Sequence, residues 1–97
     1  MQVYNIVKFK VKAGAEAAFL AAHQDGKAKW PGLERGLIIK TGEQTFCLIG
    51  IWSSQEALVA ARPEMIKTLD SFRSLLEDQG SGRGLTDAAS GSVVLEL

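Results

Sequence analysis

The chain carries a single histidine, His23, set among small and apolar residues in "AEAAFLAAHQD". A neutral imidazole there would accept a proton from a phenol or stabilise an anion, since its ordinary pKa lies near neutrality. Trp52 closes the apolar run "FCLIGIW". Its ring would stack a planar molecule while the indole N–H donates one hydrogen bond, so His23 and Trp52 are the candidate catalytic residues. Three more are candidates for substrate binding. Asn5 interrupts the apolar parity of the first strand, and a buried amide needs a partner, in the backbone or on a ligand. Arg62 precedes Pro63, where a broken helix would expose a new N-terminus beside a guanidinium fork suited to an anionic or enolate ligand. Phe72 lies on the apolar stripe of the second helix. Each has a plainer reading: Trp52 as an anchor of the strand–helix junction, His23 as a satisfied core or rim residue, Asn5 as a backbone partner, Arg62 as a solvated cation.

Other groups carry less chemistry. Cys47 sits mid-strand beside Phe46, Leu48 and Ile49, which suits a small inert hydrophobe better than a thiolate. "GSGRG" has the glycines of a phosphate loop without the preceding strand or the Lys-Ser/Thr that follows one. Glu56, Glu64, Asp70 and Glu77 fall at helical spacing beside Arg62, Lys67 and Arg73, the pattern of a solvated face. One cysteine makes neither an internal disulfide nor a cysteine-based metal site, and no metal is expected.

The elements that must position these groups follow from pattern. A chain of 97 residues with 46% hydrophobic content supports one domain, residues 1–97, because it buries only roughly 60–65% of its unfolded surface. Eleven basic and eleven acidic residues cancel, so no long-range field favours nucleic acid or an anionic membrane. The start, "MQVYNIVKFK", has no leader pattern and no apolar run approaches a membrane span; a cytoplasmic location is expected. Val3, Val7, Phe9 and Val11 give the period of a half-buried strand. "KAGAEAAFLAAHQDGKAKW" spaces Ala15, Ala18, Phe19, Ala22, His23, Gly26 and Trp30 as one helical stripe, ended by Pro31 and Gly32. "LERGLIIKTG" and Gln44–Trp52 form a hairpin through Gly42. Ser53 and Glu56 read as a capping box, and Leu58, Ala61, Met65, Leu69, Phe72 and Leu76 stripe a helix that Pro63 is expected to split into 54–61 and 63–78. "QGSGRGLTDAASG" reads as a loop and "SVVLEL" as the last strand.

The order βαββαβ packs as a four-stranded antiparallel sheet with both helices on one face, the ferredoxin-like arrangement. The third strand is apolar on both parities, Phe46, Leu48 and Trp52 on one and Cys47, Ile49 and Ile51 on the other. Such a sheet calls for a second cover, and another copy of the same sheet is the simplest one. A homodimer is expected.

The text "PGL", then a hairpin into "QTFCLIGIWSSQEAL", resembles the antibiotic biosynthesis monooxygenase type of dimeric α/β barrel, through Pro31, Gly32, Trp52, Ser54, Glu56 and Ala57. The resemblance implies homodimers with a pocket between sheet and helices in each subunit. It also implies either cofactor-independent oxygenation of electron-rich aromatic polyketides or haem degradation. Members often carry an acid two residues before the strand-end tryptophan and a histidine early in the following helix; this chain has Gly50 and "AARPEM". The places of the haem-degrading branch's aromatic and axial histidine fall near Ala61 and Ser71, so haem is disfavoured and no cofactor is expected. The reading is a cofactor-independent monooxygenase-like protein for a small planar aromatic, with a non-catalytic binding or stress-related barrel as alternative. An RNA-binding sheet would need exposed aromatics and basic flanks; Tyr4 is the sole hint of one.

Overall fold

The computed structural model describes residues 2–24, 30–79 and 84–97. Its elements are β1 (Val3–Val11), α1 (Glu16–Ala21), β2 (Leu33–Lys40), β3 (Thr45–Trp52), α2 (Gln55–Phe72), a 3₁₀ turn (Arg73–Leu75), β4 (Leu76–Glu77) and β5 (Thr86–Ser92). The strands run β2-β3-β1, and β4 and β5 both pair with the remaining edge of β1. All pairings are antiparallel. The ferredoxin-like sheet is thus as the sequence implies, with its fourth strand in two pieces. Lys10 pairs with Glu77 and its neighbour Phe9 with Thr86, so the chain leaves the ladder after Glu77 and rejoins it at Thr86 on the next β1 position. Gln79 closes the gap by donating from Nε2 to the carbonyls of Lys8 (2.7 Å) and Leu85 (3.3 Å).

Four expectations are corrected. The last strand is Thr86–Ser92, inside the stretch read as loop, while Val94, Leu95 and Leu97 are exposed. The open edge of β1 is satisfied by any backbone in register, and pairing there outweighs the poor strand propensity of "TDAASGS". The described first helix stops at Ala21. Bonds from His23 N to Leu20 O and Gln24 N to Ala21 O tighten it into a closing turn, so His23 lies just past the helix and Trp30 in a bend, while Gly26 lies outside the described residues. Helix α2 continues through Pro63. The missing N–H frees the carbonyl of Val59, but Val59 and Pro63 are exposed, so water takes that acceptor on the solvent side. The new N-terminus expected beside Arg62 does not form. Finally, the cap of α2 is Ser54, whose Oγ accepts from Ala57 N at 3.1 Å. The backbone N–H of Ser53 is instead occupied by Gly32 O at 3.0 Å.

That last contact ties the family-like text together. Gly32 has φ +89°, and a Cβ there would lie 2.5 Å from Ala57 Cβ, so glycine is required both for the left-handed turn and for the approach of α2. Pro31-Gly32, Trp52, Ser54 and Ala57 therefore mark one corner, where β3 hands over to α2.

Between the helices and the sheet lie two buried clusters. One gathers Phe9, Val11, Phe19, Phe46, Phe72 and Leu76; the other Val3, Trp30, Leu33, Trp52, Leu58 and Ala61. The opposite face carries Tyr4, Ile6, Leu37, Ile39, Cys47, Ile49 and Ile51 by parity, with Ile6 39% and Ile39 45% exposed.

Candidate functional site

Strand register explains why the core is divided. On the helix-facing side the sheet is crossed by lateral rows of side chains, and Leu33, Trp52, Val3 and Ser92 make the first. The next is Gly36, Gly50, Asn5 and Ser90, and the third Ile38, Leu48, Val7 and Ala88. The second row is small at three of its four positions. Helix α2 spans it with Ala61 and Met65, which fill less than a row of large residues would, and a void remains. The resulting cavity has a volume of about 300 Å³ and is lined by Asn5, His23, Trp30, Leu33, Gly36, Leu48, Gly50, Trp52 and Met65, with Leu20 and Gln24 at its α1 side. That is the lower end of the roughly 300–1,000 Å³ typical of small-molecule pockets.

Two lobes adjoin it. One, of about 350 Å³, is bounded by Asn5, Val7, Leu58, Arg62, Met65, Ala88 and Ser90. The other, of about 190 Å³, is almost wholly apolar and includes His23, Trp30, Leu48, Met65, Leu69 and Phe72.

Asn5 and Trp52 form the polar floor. The indole Nε1 of Trp52 donates to Asn5 Oδ1 at 2.7 Å, with both residues buried. An amide oxygen so held fixes which end of Asn5 is which: Oδ1 faces the indole, and the two N–H donors of Nδ2, unpartnered among the described residues, remain for whatever occupies the chamber. Gly50 makes this bond possible, because a Cβ there would collide with Asn5 Oδ1 and lie 2.8 Å from Trp52 Nε1. The missing acid of the family pattern therefore has a steric reason. Asn5 and a side chain at position 50 compete for one space, and this chain has given it to Asn5.

His23 sits against the Phe19 and Phe72 rings at centroid distances of 4.9 and 4.6 Å. Its Nδ1 lies 2.9 Å from Phe19 O. A carbonyl only accepts, so Nδ1 carries the proton of the neutral ring and Nε2 keeps the lone pair. Burial lowers the His23 pKa below 6.5, with the Phe19 carbonyl opposing the shift; the ring is a neutral acceptor at pH 7.

Trp30 stacks on Trp52 at 6.5 Å and 29°. Its Nε1 is buried without a partner among the described residues, a cost of about 1–3 kcal/mol unless a ligand oxygen meets it.

The structure thus brings His23, Trp52 and Asn5 to one cavity. Arg62 is exposed at the adjoining lobe with Asn5, and Phe72 is 2% exposed, packed beneath His23 at the apolar lobe. Cys47 belongs to the other face of the sheet. Residues 80–83 of "GSGRG" lie outside the described residues. Ala61 presents a buried methyl and Ser71 an exposed hydroxyl bonded to Thr68 O, neither an imidazole-like iron ligand. No group of three or more His, Cys, Asp or Glu among the described residues could hold a metal ion. Trp30, Met65, Gly36 and Ser90 are parts of the site that chemistry-bearing residue types do not reveal; for Gly36 and Ser90 the signal is the lateral row, and that needs the register.

No protein-family model matches the chain, and no curated protein does. Solved structures do, several of them described as antibiotic biosynthesis monooxygenases or as a cofactor-independent oxygenase. The chain is similar to SnoaB, a cofactor-independent oxygenase from Streptomyces nogalater (TM-score 0.76, 18% identity, 99% of this chain and 96% of that one). It is also similar to a protein assigned by resemblance to the antibiotic biosynthesis monooxygenases from Chloroflexus aurantiacus (0.75, 17%, 100% and 97%). A third is Rv0793 from Mycobacterium tuberculosis (0.75, 17%, 99% and 98%). At such identities the likeness is one of fold.

Proposed function

We propose that the chain is a cofactor-independent monooxygenase-like protein that takes a small planar aromatic, phenolic or polyketide-like, into the chamber between Trp30, Trp52 and His23. The observation that carries this reading is the Trp52–Asn5 hydrogen bond, which presents amide donors to a cavity also lined by a neutral imidazole. His23 Nε2 would take the phenolic proton. The electron-rich anion then passes one electron to dioxygen, and the substrate radical and superoxide combine to a peroxide. Reprotonated to a hydroperoxide on the ring carbon, this loses water, so that the phenolic O–H and one ring C–H give up their hydrogens and phenol plus O₂ become quinone plus H₂O. Asn5 Nδ2 holds the developing oxyanion, the tryptophans hold the ring, and the apolar walls keep water out. Arg62 would draw in an anionic substituent, and Phe72 would support the His23 ring. No carboxylate lines the cavity or its two lobes among the described residues, so an anion there meets no like charge.

Oxygen uptake with phenols and naphthols tests the proposal. Uptake above background that falls by about 10²-fold or more in His23→Ala supports it. Unchanged uptake in that variant removes His23 from the chemistry. The second reading, a binding barrel without turnover, is favoured by the low basicity of His23; ligand-dependent tryptophan quenching with no uptake would select it.

The same reading includes a homodimer, because the face bearing Ile6, Ile39, Ile49 and Ile51 is too apolar to stay wet. Sedimentation at micromolar concentration checks this, and a particle of one chain's mass would refute it. It also places the protein in the cytoplasm, where the lone Cys47 stays reduced. Among the described residues no helix is long and apolar enough to cross a membrane.

A further inference from the structure

Met65 is the one described residue that bounds the chamber and both of its lobes. Asn5 is shared only by the chamber and the lobe at Arg62; His23, Trp30 and Leu48 are shared only by the chamber and the apolar lobe. The side chain of Met65 therefore stands where three spaces meet. It is half-buried on the inner stripe of α2, between Ala61 and Leu69, and packs on the tryptophan cluster. On the sheet side its three spaces are bounded by the short side chains of Asn5, Ser90 and Ala88 as well as by Val7 and Leu48, and the voids on either side leave it room to turn. An unbranched thioether with three rotatable bonds can swing from one space to another without moving the helix.

We infer that Met65 sets the size of aromatic the protein accepts, confining a two-ring molecule to the chamber and yielding to a longer ring system by turning out of the passage to the lobes. This rests on the chamber being a site for planar aromatics. A third fused ring would enter a lobe and bury further apolar carbon. Removing the thioether should then favour three rings over two by about tenfold or more. Leucine, of similar bulk but branched at Cγ and stiffer, should do the reverse.

Calorimetric titration with 2-naphthol and 2-anthrol, on the full chain and on Met65→Ala and Met65→Leu, with thermal melts alongside, decides it. The ratio of 2-anthrol to 2-naphthol affinity should rise about tenfold or more in Met65→Ala and fall below that of the parent in Met65→Leu. Should Met65→Ala fail to fold, the Leu variant alone carries the test, and an unaltered ratio there overturns the inference. Binding of both phenols with a ratio unmoved in either variant overturns the role of Met65 and leaves the chamber standing. If neither phenol binds the parent or the variants, the chamber is no aromatic site, and the inference falls with it.

Discussion

The two ends of the core are built from similar materials to opposite effect. At one end Phe9, Phe19, Phe46 and Phe72 meet at centroid distances of 5.2–5.8 Å, with three of the contacts edge-to-face. At the other, two indoles stack at 6.5 Å beside a row of Gly36, Gly50, Asn5 and Ser90 that leaves space unfilled. The phenylalanine end has only the His23 ring to accommodate, laid against Phe19 and Phe72, and leaves no more than the small apolar lobe of about 190 Å³ beside Phe72. The tryptophan end carries an amide and two N–H groups, one of them orphaned, and stays open. Stability is concentrated where packing is tighter, and recognition where it has been given up.

The largest effect should separate the ends most clearly. Phe46→Ala, at a buried position whose ring meets Phe19 and lines neither the chamber nor its lobes, should cost about 3–5 kcal/mol in denaturant unfolding, while any ligand affinity of the folded fraction is retained. Trp52→Phe keeps an aromatic ring but strands Asn5 Oδ1 in the interior, costing about 1–3 kcal/mol and weakening ligand binding as well. Trp30→Phe is its control. Its N–H has no partner among the described residues, so losing it relieves a cost that offsets the lost ring area, and the same change there should be near neutral in stability. Equal losses at both tryptophans would show that the Asn5 bond is not what distinguishes them.

Gly50→Ala should cost about 1–3 kcal/mol, because the new methyl collides with Asn5 Oδ1. The smallest effect concerns pH. His23 is held below its ordinary pKa of 6.5 by burial, so the unfolded chain binds the proton more readily. The stability that this confers is complete above about pH 6.5 and is lost as the pH falls from there through the lowered folded value. His23→Gln should remove that slope from unfolding measured between pH 7.5 and 5, and a slope that persists assigns it elsewhere.

Much of this contrast was legible in the sequence on one side only. The alternation of Val3, Val7, Phe9 and Val11 and the stripe of Leu58, Ala61, Met65 and Phe72 give sheet and helix directly, since each is local in the chain. The site is not local. Gly36, Gly50, Asn5 and Ser90 are far apart in sequence and become one row only when four strands are in register, so composition and motif pass them by. Asn5 stood out as the polar break in an apolar parity; Gly50 stood out as a missing acid, its reason hidden until its collision with Asn5 was visible. The last strand escaped notice because "TDAASGS" pairs through backbone alone, and Pro63 misled because its lost hydrogen bond faces water. The residues that carry the family resemblance proved to hold a corner of the fold together, and they speak to architecture before chemistry.

The central claim is that the glycine row opens a chamber for planar aromatics. Gly36 tests it most directly. A Cβ there would meet only Leu33 Cδ2, at an ordinary 3.5 Å, so Gly36→Val fills the chamber without breaking a hydrogen bond. Calorimetric titration of 2-naphthol into the parent and into Gly36→Val should show affinity falling about tenfold or more while the melting temperature holds. Undiminished affinity in the filled variant would contradict the account.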